Sequence, residues 1–195
     1  MSASFRRLFV GLVLPDEVAS RLVGRVHPIL EDEEGVRLHS ASELHLTLAF
    51  LGEFPEAQRP RLEGALREEL RGLNAPELTL SDTGAFPGRN SPRVLWAGVE
   101  EGAETAGRLH ALHNRVLQAA LSLRWRPPSA ERHRPFRPHV TLARMRTGEP
   151  HRAFFEQQFD HPWLPVEVSL IESCPDRPDE RYRPLWAVPL VVRPG

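Results

Sequence analysis

The sequence predicts an α+β fold of two pseudo-symmetric lobes, each an antiparallel-type sheet covered by helices, with an active-site groove between them. Two observations lead to this prediction. Apolar, strand-like runs alternate with amphipathic helical segments, and one phrase occurs in each half, as HLTLA at 45–49 and HVTLA at 139–143. With 195 residues, 41% hydrophobic and 26% charged, the chain has the size and composition of a soluble domain. We therefore expect a single bilobal domain over residues 1–195.

The first half of the chain reads strand, helix, strand, helix, strand. A helix is expected to begin at Pro15, which suits a first turn, and to end or kink at Pro28. Leu62, Leu66 and Leu70 recur at helical spacing further along. Besides the first repeat strand, the predicted elements are a strand at 8–14, a helix from 15 to about 28, a helix at 57–73 and a strand at 78–80.

The second half repeats this order. Pro189 cannot donate a hydrogen bond to a neighbouring strand, so the last strand is predicted at a sheet edge. Besides the second repeat strand, the predicted elements are a strand at 94–99, a helix at 104–123, a short helix near 151–158, and strands at 166–171 and 186–191.

The repeated phrase is a candidate catalytic motif. Residues two apart on a strand share a face, so His45 lies beside Thr47, while Leu46, Leu48 and Phe50 are expected to point into the core. The second copy pairs a histidine with a threonine in the same way. Two imidazoles facing one centre suit general acid–base catalysis, because one can be neutral while the other is protonated. Threonine hydroxyls and an arginine would bind phosphate oxygens, and no metal or other cofactor is required.

Composition excludes several other classes of protein. The net charge of −1 gives no global field for long nucleic acids. All 25 basic residues are arginine, which excludes a lysine P-loop or a lysine nucleophile. Cys174 is the only cysteine, so an intrachain disulfide and a cysteine-rich zinc site are excluded. The apolar run after Arg7 is interpreted as a core strand, and no stretch has membrane-spanning length. A cytoplasmic protein without membrane partners is expected.

Longer phrases around the two motifs resemble a known family. They are RLFV at 7–10, HLTLAFLGE at 45–53, RVLWAG at 93–98 and FRPHVTLAR at 136–144. In order and spacing they are similar to the RNA 2′,3′-cyclic phosphodiesterase branch (LigT-like, formerly 2′-5′ RNA ligase) of the 2H phosphoesterase superfamily. The resemblance implies hydrolysis of RNA 2′,3′-cyclic phosphate ends to 2′-phosphomonoesters. It also implies weak, reversible 2′-5′ joining of tRNA halves in some members. We expect a monomer.

The same resemblance assigns roles to individual residues. His45 matches the proton donor and His139 the general base, while Thr47 and Thr141 match the phosphate-binding hydroxyls. Arg144 stands where this branch has a phosphate-contacting arginine. Strict alternation, however, turns Arg144 away from the histidine of its own strand, so a twist or strand end after the motif is needed for it to reach the groove. The alternative is a surface arginine that closes the strand. Arg137 has the right parity but a weaker match.

Other side chains are weaker candidates. His110 and His113 lie one helical turn apart, a spacing compatible with a metal, but no third ligand accompanies them and a solvated helix face is the preferred interpretation. His133 lies in an arginine-rich loop at 132–137 that either approaches RNA or is plain surface. Four aromatic residues could stack a nucleobase, although core packing is favoured for most of them: Phe9, Phe50, Phe86 and Trp96.

Three other functions stay open at this stage. The same two-histidine chemistry could act on a small cyclic phosphate or a 2′-5′ oligoadenylate. An RNA-end binding module without turnover would not need two titratable groups. A metallohydrolase that uses His45 and His139 as ligands lacks a carboxylate or third histidine in either motif.

Overall fold

In the computed structural model, which describes residues 5–126, 128, 135–146 and 152–192, nine strands form one antiparallel sheet flanked by four helices. The strands are β1 (Phe5–Val13), β2 (Val36–Leu38), β3 (His45–Pro55), β4 (Leu78–Phe86), β5 (Val94–Glu101), β6 (His139–Met145), β7 (Gln158–Trp163), β8 (Glu167–Ser173) and β9 (Tyr182–Pro189). The helices are α1 (Asp16–Leu30), α2 (Arg59–Leu70), α3 (Arg108–Ser122) and α4 (Arg152–Phe155).

Eight of the nine strands form two four-stranded sets that are related by a pseudo-twofold arrangement, and the ninth, β2, pairs with β6. One set has the order β3-β1-β8-β9 and the other β6-β5-β4-β7, and they meet where β3 adjoins β6. At this junction Leu46 pairs with Val140 in antiparallel register. Antiparallel register about that pair places His45 across from Thr141, and the other motif histidine across from Thr47. The two repeats therefore meet at the centre of the sheet, as the predicted α+β bilobal fold requires.

The two halves of the sequence do not coincide with the two strand sets. We expected the strand at 78–80 to complete the first half, but β4 pairs with β5 and β7 in the second set. Conversely, β8 and β9 join β1 in the first. Hydrophobic pattern identifies a buried strand but not its neighbour, so this exchange of strands could not be derived from periodicity.

The two longest helices, α1 and α3, also cross between the sets. Helix α1 follows β1 but lies against the second set, where the guanidinium of Arg25 lies 5.0 Å from the ring centroid of Phe159. Helix α3 follows β5 but packs on β3 and α2, with Arg115 bonded to Glu69. Each connection thus covers the other set of strands. Among the helices of the described residues, none has the length and apolar character needed to cross a membrane.

Most element boundaries agree with the sequence prediction, with a few corrections. Helix α1 starts after Pro15 with two acids in its first turn, but Pro28 lies inside its last turn and does not end it. Helices α2 and α3 are shorter than predicted because a 3₁₀ turn precedes each. Within the range predicted as a short helix, α4 gives way to β7, and the short strand β2 was not predicted. Strand β9 does lie at the sheet edge.

Candidate active site

A groove of about 650 Å³ lies over the junction of β3 and β6. Its volume falls in the range of roughly 300–1,000 Å³ typical of small-ligand sites. All five residues assigned by the sequence line this groove: His45, Thr47, His139, Thr141 and Arg144. The structure therefore brings the predicted site residues together.

A β-bulge interrupts each motif strand at the same position. On β3, Thr47 pairs with Gly11 and Ala49 with Val10, so Leu48 is the extra residue. The corresponding extra residue on β6 is Leu142, because its two neighbours pair with adjacent residues of β5. An extra residue shifts the alternation of the side chains that follow it. The bulges therefore decide which side chains beyond each threonine face the groove.

Two of our expectations assumed strict alternation of side chains beyond the motif. The bulges change both of them. Arg144 lines the groove together with His139, because the bulge supplies the required change of direction. Phe50, at the equivalent position of β3, was expected in the core but lines the groove too. The two equivalent positions thus present a cation on one side and an aromatic ring on the other.

The two motif histidines are held in the same way. The Nδ1 of His45 lies 2.7 Å from the carbonyl oxygen of Glu43, and the Nδ1 of His139 lies 2.6 Å from that of Arg137. A carbonyl oxygen only accepts hydrogen bonds, so Nδ1 carries a proton in both rings. Nε2 is therefore the nitrogen that gains or loses a proton in each case. In each case a backbone carbonyl two residues earlier orients the imidazole ring. Such fixed orientation is what an acid–base pair needs.

His45 lies in the more buried of the two environments. Its ring centroid is 4.6 Å from that of Phe9 and 4.8 Å from that of Tyr182, which meets it edge-on. Burial lowers the pKa of His45 to about 4, and the positive charges of His139 and Arg144 act in the same direction against the bond to Glu43. With this pKa, His45 is neutral at neutral pH.

His139 is half-buried and has different neighbours. Phe86 meets its ring edge-on at 5.0 Å, and Trp96 lies at 6.2 Å. The indole of Trp96 fits because Gly84 has no side chain: a Cβ there would lie 2.1 Å from the indole. Aromatic rings therefore bracket each histidine, but they come from different strands.

A cluster of charged residues beside His45 was not predicted. Arg37 and Arg181 line the groove, and both reach the carboxylate of Glu43, at 3.0 and 3.4 Å from its Oε1. Burial alone would raise the pKa of Glu43, but the Ser40 N–H and the Arg37 guanidinium outweigh it and hold that pKa below its ordinary value. No local motif marks these residues, since they come from β2 and from the turn before β9.

The helical histidine pair is not a simple solvated face. His110 is exposed, as expected, with 59% of its side chain accessible. His113 lines the groove, lies parallel to the ring of Phe136 at 4.2 Å, and donates its Nδ1–H to the Leu48 carbonyl at 2.6 Å. Burial lowers the pKa of His113. Within the described residues no three His, Cys, Asp or Glu side chains are grouped to hold a metal ion. His133 lies outside the described residues.

The expected core packing of the aromatic candidates is correct only in part. Phe9 is 1% exposed, yet it lines the groove. Phe50 and Phe86 are half-buried and line the groove, so core packing is wrong for them. Trp96 is half-buried behind His139. Arg137 also lines the groove, which places it better than its weaker sequence match suggested.

Comparison with known proteins gives one consistent family. The profile of the 2′-5′ RNA ligase superfamily matches residues 14–174. A protein named RNA 2′,3′-cyclic phosphodiesterase from Thermus thermophilus is 38% identical over 74% of this chain and 71% of its own length. A protein of the same name from Archaeoglobus fulgidus is 35% identical over 74% of this chain and 75% of its own length.

Solved structures give the same result. TT0787 of Thermus thermophilus superposes with a TM-score of 0.74 at 32% identity, covering 94% of this chain and 97% of its own. Escherichia coli LigT complexed with 3′-AMP superposes with a TM-score of 0.72 at 28% identity, covering 96% and 99%. The similarity extends over both strand sets, so it includes both sides of the groove.

Proposed function

Because the chain belongs to the 2′-5′ RNA ligase superfamily, we propose that it is a phosphodiesterase that opens 2′,3′-cyclic phosphate ends of RNA to 2′-phosphomonoesters without a metal. The names of the relatives support the cyclic phosphodiester as the substrate. The observation that carries the proposal is the pair of histidines, His45 and His139, each with Nδ1 fixed by a backbone carbonyl at the edge of one groove.

The proposed reaction adds water across one P–O bond. Nε2 of His139 takes a proton from water as its oxygen attacks phosphorus. The bond from phosphorus to the 3′-oxygen breaks on the opposite side, and Nε2–H of His45 gives its proton to that oxygen. The 2′-oxygen keeps the phosphate. Each proton transfer contributes on the order of 10²–10⁴-fold to the rate.

The other three residues assigned by the sequence are proposed to bind the non-bridging phosphate oxygens. Thr47 and Thr141 supply hydroxyl donors on the same face as the histidines, and Arg144 supplies a guanidinium that can bind two oxygens at once. Fixed donors aimed at charge in the transition state are an effective source of catalysis.

The low pKa of His45 sets a condition on its role as the acid. With a pKa of about 4, this histidine carries no proton on Nε2 at pH 7 before substrate binds. The cyclic phosphate is an anion, and an anion between the two imidazoles favours the charged form of both. We propose that substrate binding raises the pKa of His45, so that the acid is protonated only when a phosphate is present.

A smaller substrate is the second candidate. The groove volume suits a single nucleotide, and Escherichia coli LigT has been crystallised with 3′-AMP. A small cyclic phosphate or a 2′-5′ oligoadenylate would undergo the same chemistry. The monomeric state, the cytoplasmic location and weak 2′-5′ joining of tRNA halves are parts of the main proposal.

One assay tests the proposal directly. An RNA oligonucleotide ending in a 2′,3′-cyclic phosphate is incubated with the enzyme in excess EDTA, and the product is identified by ³¹P NMR. The expected product is the 2′-phosphate, at the same rate with and without EDTA. Loss of activity on chelation, with recovery on adding zinc or manganese, would overturn the metal-independent mechanism. A 3′-phosphate product would reverse the roles of the two histidines.

A further inference from the structure

Two arginines face each other at one end of the groove. Arg37 on β2 and Arg144 on β6 are register partners in an antiparallel pair, and both line the groove. Like charges directly opposite each other destabilise a sheet. A third arginine, Arg181, lines the same end. The groove thus holds more positive charge than one phosphate contact requires, and a second anion would offset the repulsion.

A carboxylate behind the arginines orients two of them. Glu43 does not line the groove, and only 12% of its side chain is accessible. Its Oε1 accepts Nη1–H of Arg37 at 3.0 Å and lies 3.4 Å from Nε of Arg181. Its Oε2 accepts the backbone N–H of Ser40 at 2.8 Å. The two guanidinium groups are therefore fixed from behind.

The arginines keep donors for a ligand. Arg37 uses Nη1 for Glu43 and Nη2 for Nε2 of His39 at 2.8 Å, and a guanidinium has five N–H groups in all. Arg181 approaches Glu43 through Nε. This contact therefore does not use the two terminal amino groups of Arg181. One carboxylate also balances only one of the three arginine charges. Oriented donors with excess positive charge are the features of a phosphate site.

We propose that Arg37 and Arg181 form a second phosphate subsite, which binds the 5′-phosphate of the nucleotide that carries the cyclic phosphate. The inference rests on the proposed function and specifies its substrate. Arg181 precedes Tyr182, whose ring contacts His45, so this subsite lies beside the reacting phosphate. The 5′-phosphate is a diester in an RNA chain and a monoester in a mononucleotide, and both have the anionic oxygens that the arginines bind.

Three substrates distinguish a contact with the 5′-phosphate from a contact with the preceding nucleoside. They are adenosine 2′,3′-cyclic phosphate, the same nucleoside with a 5′-phosphate, and the dinucleotide ApA with a 2′,3′-cyclic phosphate. We expect kcat/KM to be at least about tenfold higher for the second and third substrates than for the first, mostly through a lower KM, because charge-assisted bonds are involved. In Arg181→Gln the ratio should fall toward one.

The matched control is Arg183→Gln. Arg183 lies two residues away on β9 and bonds to Glu172 outside the groove, so its loss removes the same charge without removing the subsite. The substrate ratio should stay at the wild-type value.

Each failure has a distinct meaning. Equal kcat/KM for all three substrates in the wild type would overturn the subsite but leave the proposed function intact. A gain with ApA alone would indicate a contact with the preceding nucleoside, which also overturns the subsite. If no substrate is hydrolysed, the proposed function itself is wrong.

Discussion

The two motif strands, β3 and β6, have the same backbone arrangement but different neighbouring side chains. On each, the histidine Nδ1 donates to a carbonyl two residues earlier, and a β-bulge follows the threonine. Two positions beyond the bulge, however, β3 presents Phe50 and β6 presents Arg144. His45 is enclosed by Phe9 and Tyr182, whereas the second motif supplies the cation.

Backbone symmetry alone cannot give the two histidines different protonation states. A pseudo-twofold backbone places two imidazoles at one groove, but acid–base catalysis needs one protonated and one neutral group. Identical surroundings would give both histidines the same affinity for a proton. Burial of His45, together with the positive charges of His139 and Arg144, lowers its pKa, so we expect His45 to gain the proton of an acid only when an anionic phosphate lies beside it. The duplicated backbone supplies position, and the unmatched side chains supply the difference in chemistry.

The largest expected effect comes from removing either histidine. His45→Ala and His139→Ala should each lower kcat by at least about 10²-fold, because each removes one proton transfer. The assay is hydrolysis of an RNA 2′,3′-cyclic phosphate, with circular dichroism to check the fold. His110→Ala, on the exposed face of α3, is the control. A near-normal rate in one of the two variants would show that only half of the pair is catalytic.

The pKa of His45 should depend on whether phosphate is bound. His45 in the free enzyme should titrate near pH 4, because burial lowers its pKa, and its pKa should rise when inorganic phosphate is bound. The Cε1–H resonance, assigned with the His45→Ala variant, gives both values by NMR. Because one histidine must be neutral while the other is protonated, the rate should follow a bell-shaped pH profile. An unchanged His45 pKa with phosphate bound would argue against its role as the acid.

The sequence was sufficient for the motif and insufficient for its surroundings. Alternation along β3 and β6 correctly placed His45 with Thr47 and His139 with Thr141. Which residues of a five-residue strand share a face depends only on neighbours in the sequence. It placed Phe50 wrongly, since a bulge depends on the register with the neighbouring strands β1 and β5. At Arg144 the need for such a change followed from parity together with the family resemblance, which assigns this arginine to the phosphate.

Residues supplied from distant parts of the chain could not be predicted. Tyr182 contacts His45 only because β9 joins the first strand set through β8. Arg37 lies opposite Arg144 at the groove because β2 attaches to β6 rather than to its sequence neighbours. Strand pairing is a tertiary property, and neither composition nor periodicity contains it.

A smaller effect should distinguish the two positions beyond the bulges. Arg144→Met should lower kcat/KM by about 10- to 100-fold, the value of a charge-assisted hydrogen bond of about 1.5–3 kcal/mol. Phe50→Met keeps an apolar side chain and should cost less than about tenfold. Both are measured on the same cyclic RNA. Equal losses would mean that Arg144 contributes packing rather than charge.

The smallest effect concerns how each bulge is held. The Leu142 carbonyl accepts the backbone N–H of His39 at 2.8 Å, whereas the Leu48 carbonyl accepts a side-chain donor, Nδ1–H of His113. Only the second bond can be removed by truncating a side chain. His113→Ala leaves the Leu48 carbonyl without this donor and removes the stack on Phe136.

We expect His113→Ala to lower the free energy of unfolding by about 1–3 kcal/mol and kcat by a few-fold, because Leu48 lies between Thr47 and Phe50. Urea unfolding and cyclic RNA hydrolysis measure the two effects. His110→Ala, one turn earlier and exposed, should change stability by less than about 0.5 kcal/mol. If the two variants behaved alike, the bulge on β3 would be fixed by its strand pairing alone. The two motifs would then be equivalent in how their backbone is held and different only in the residues around it.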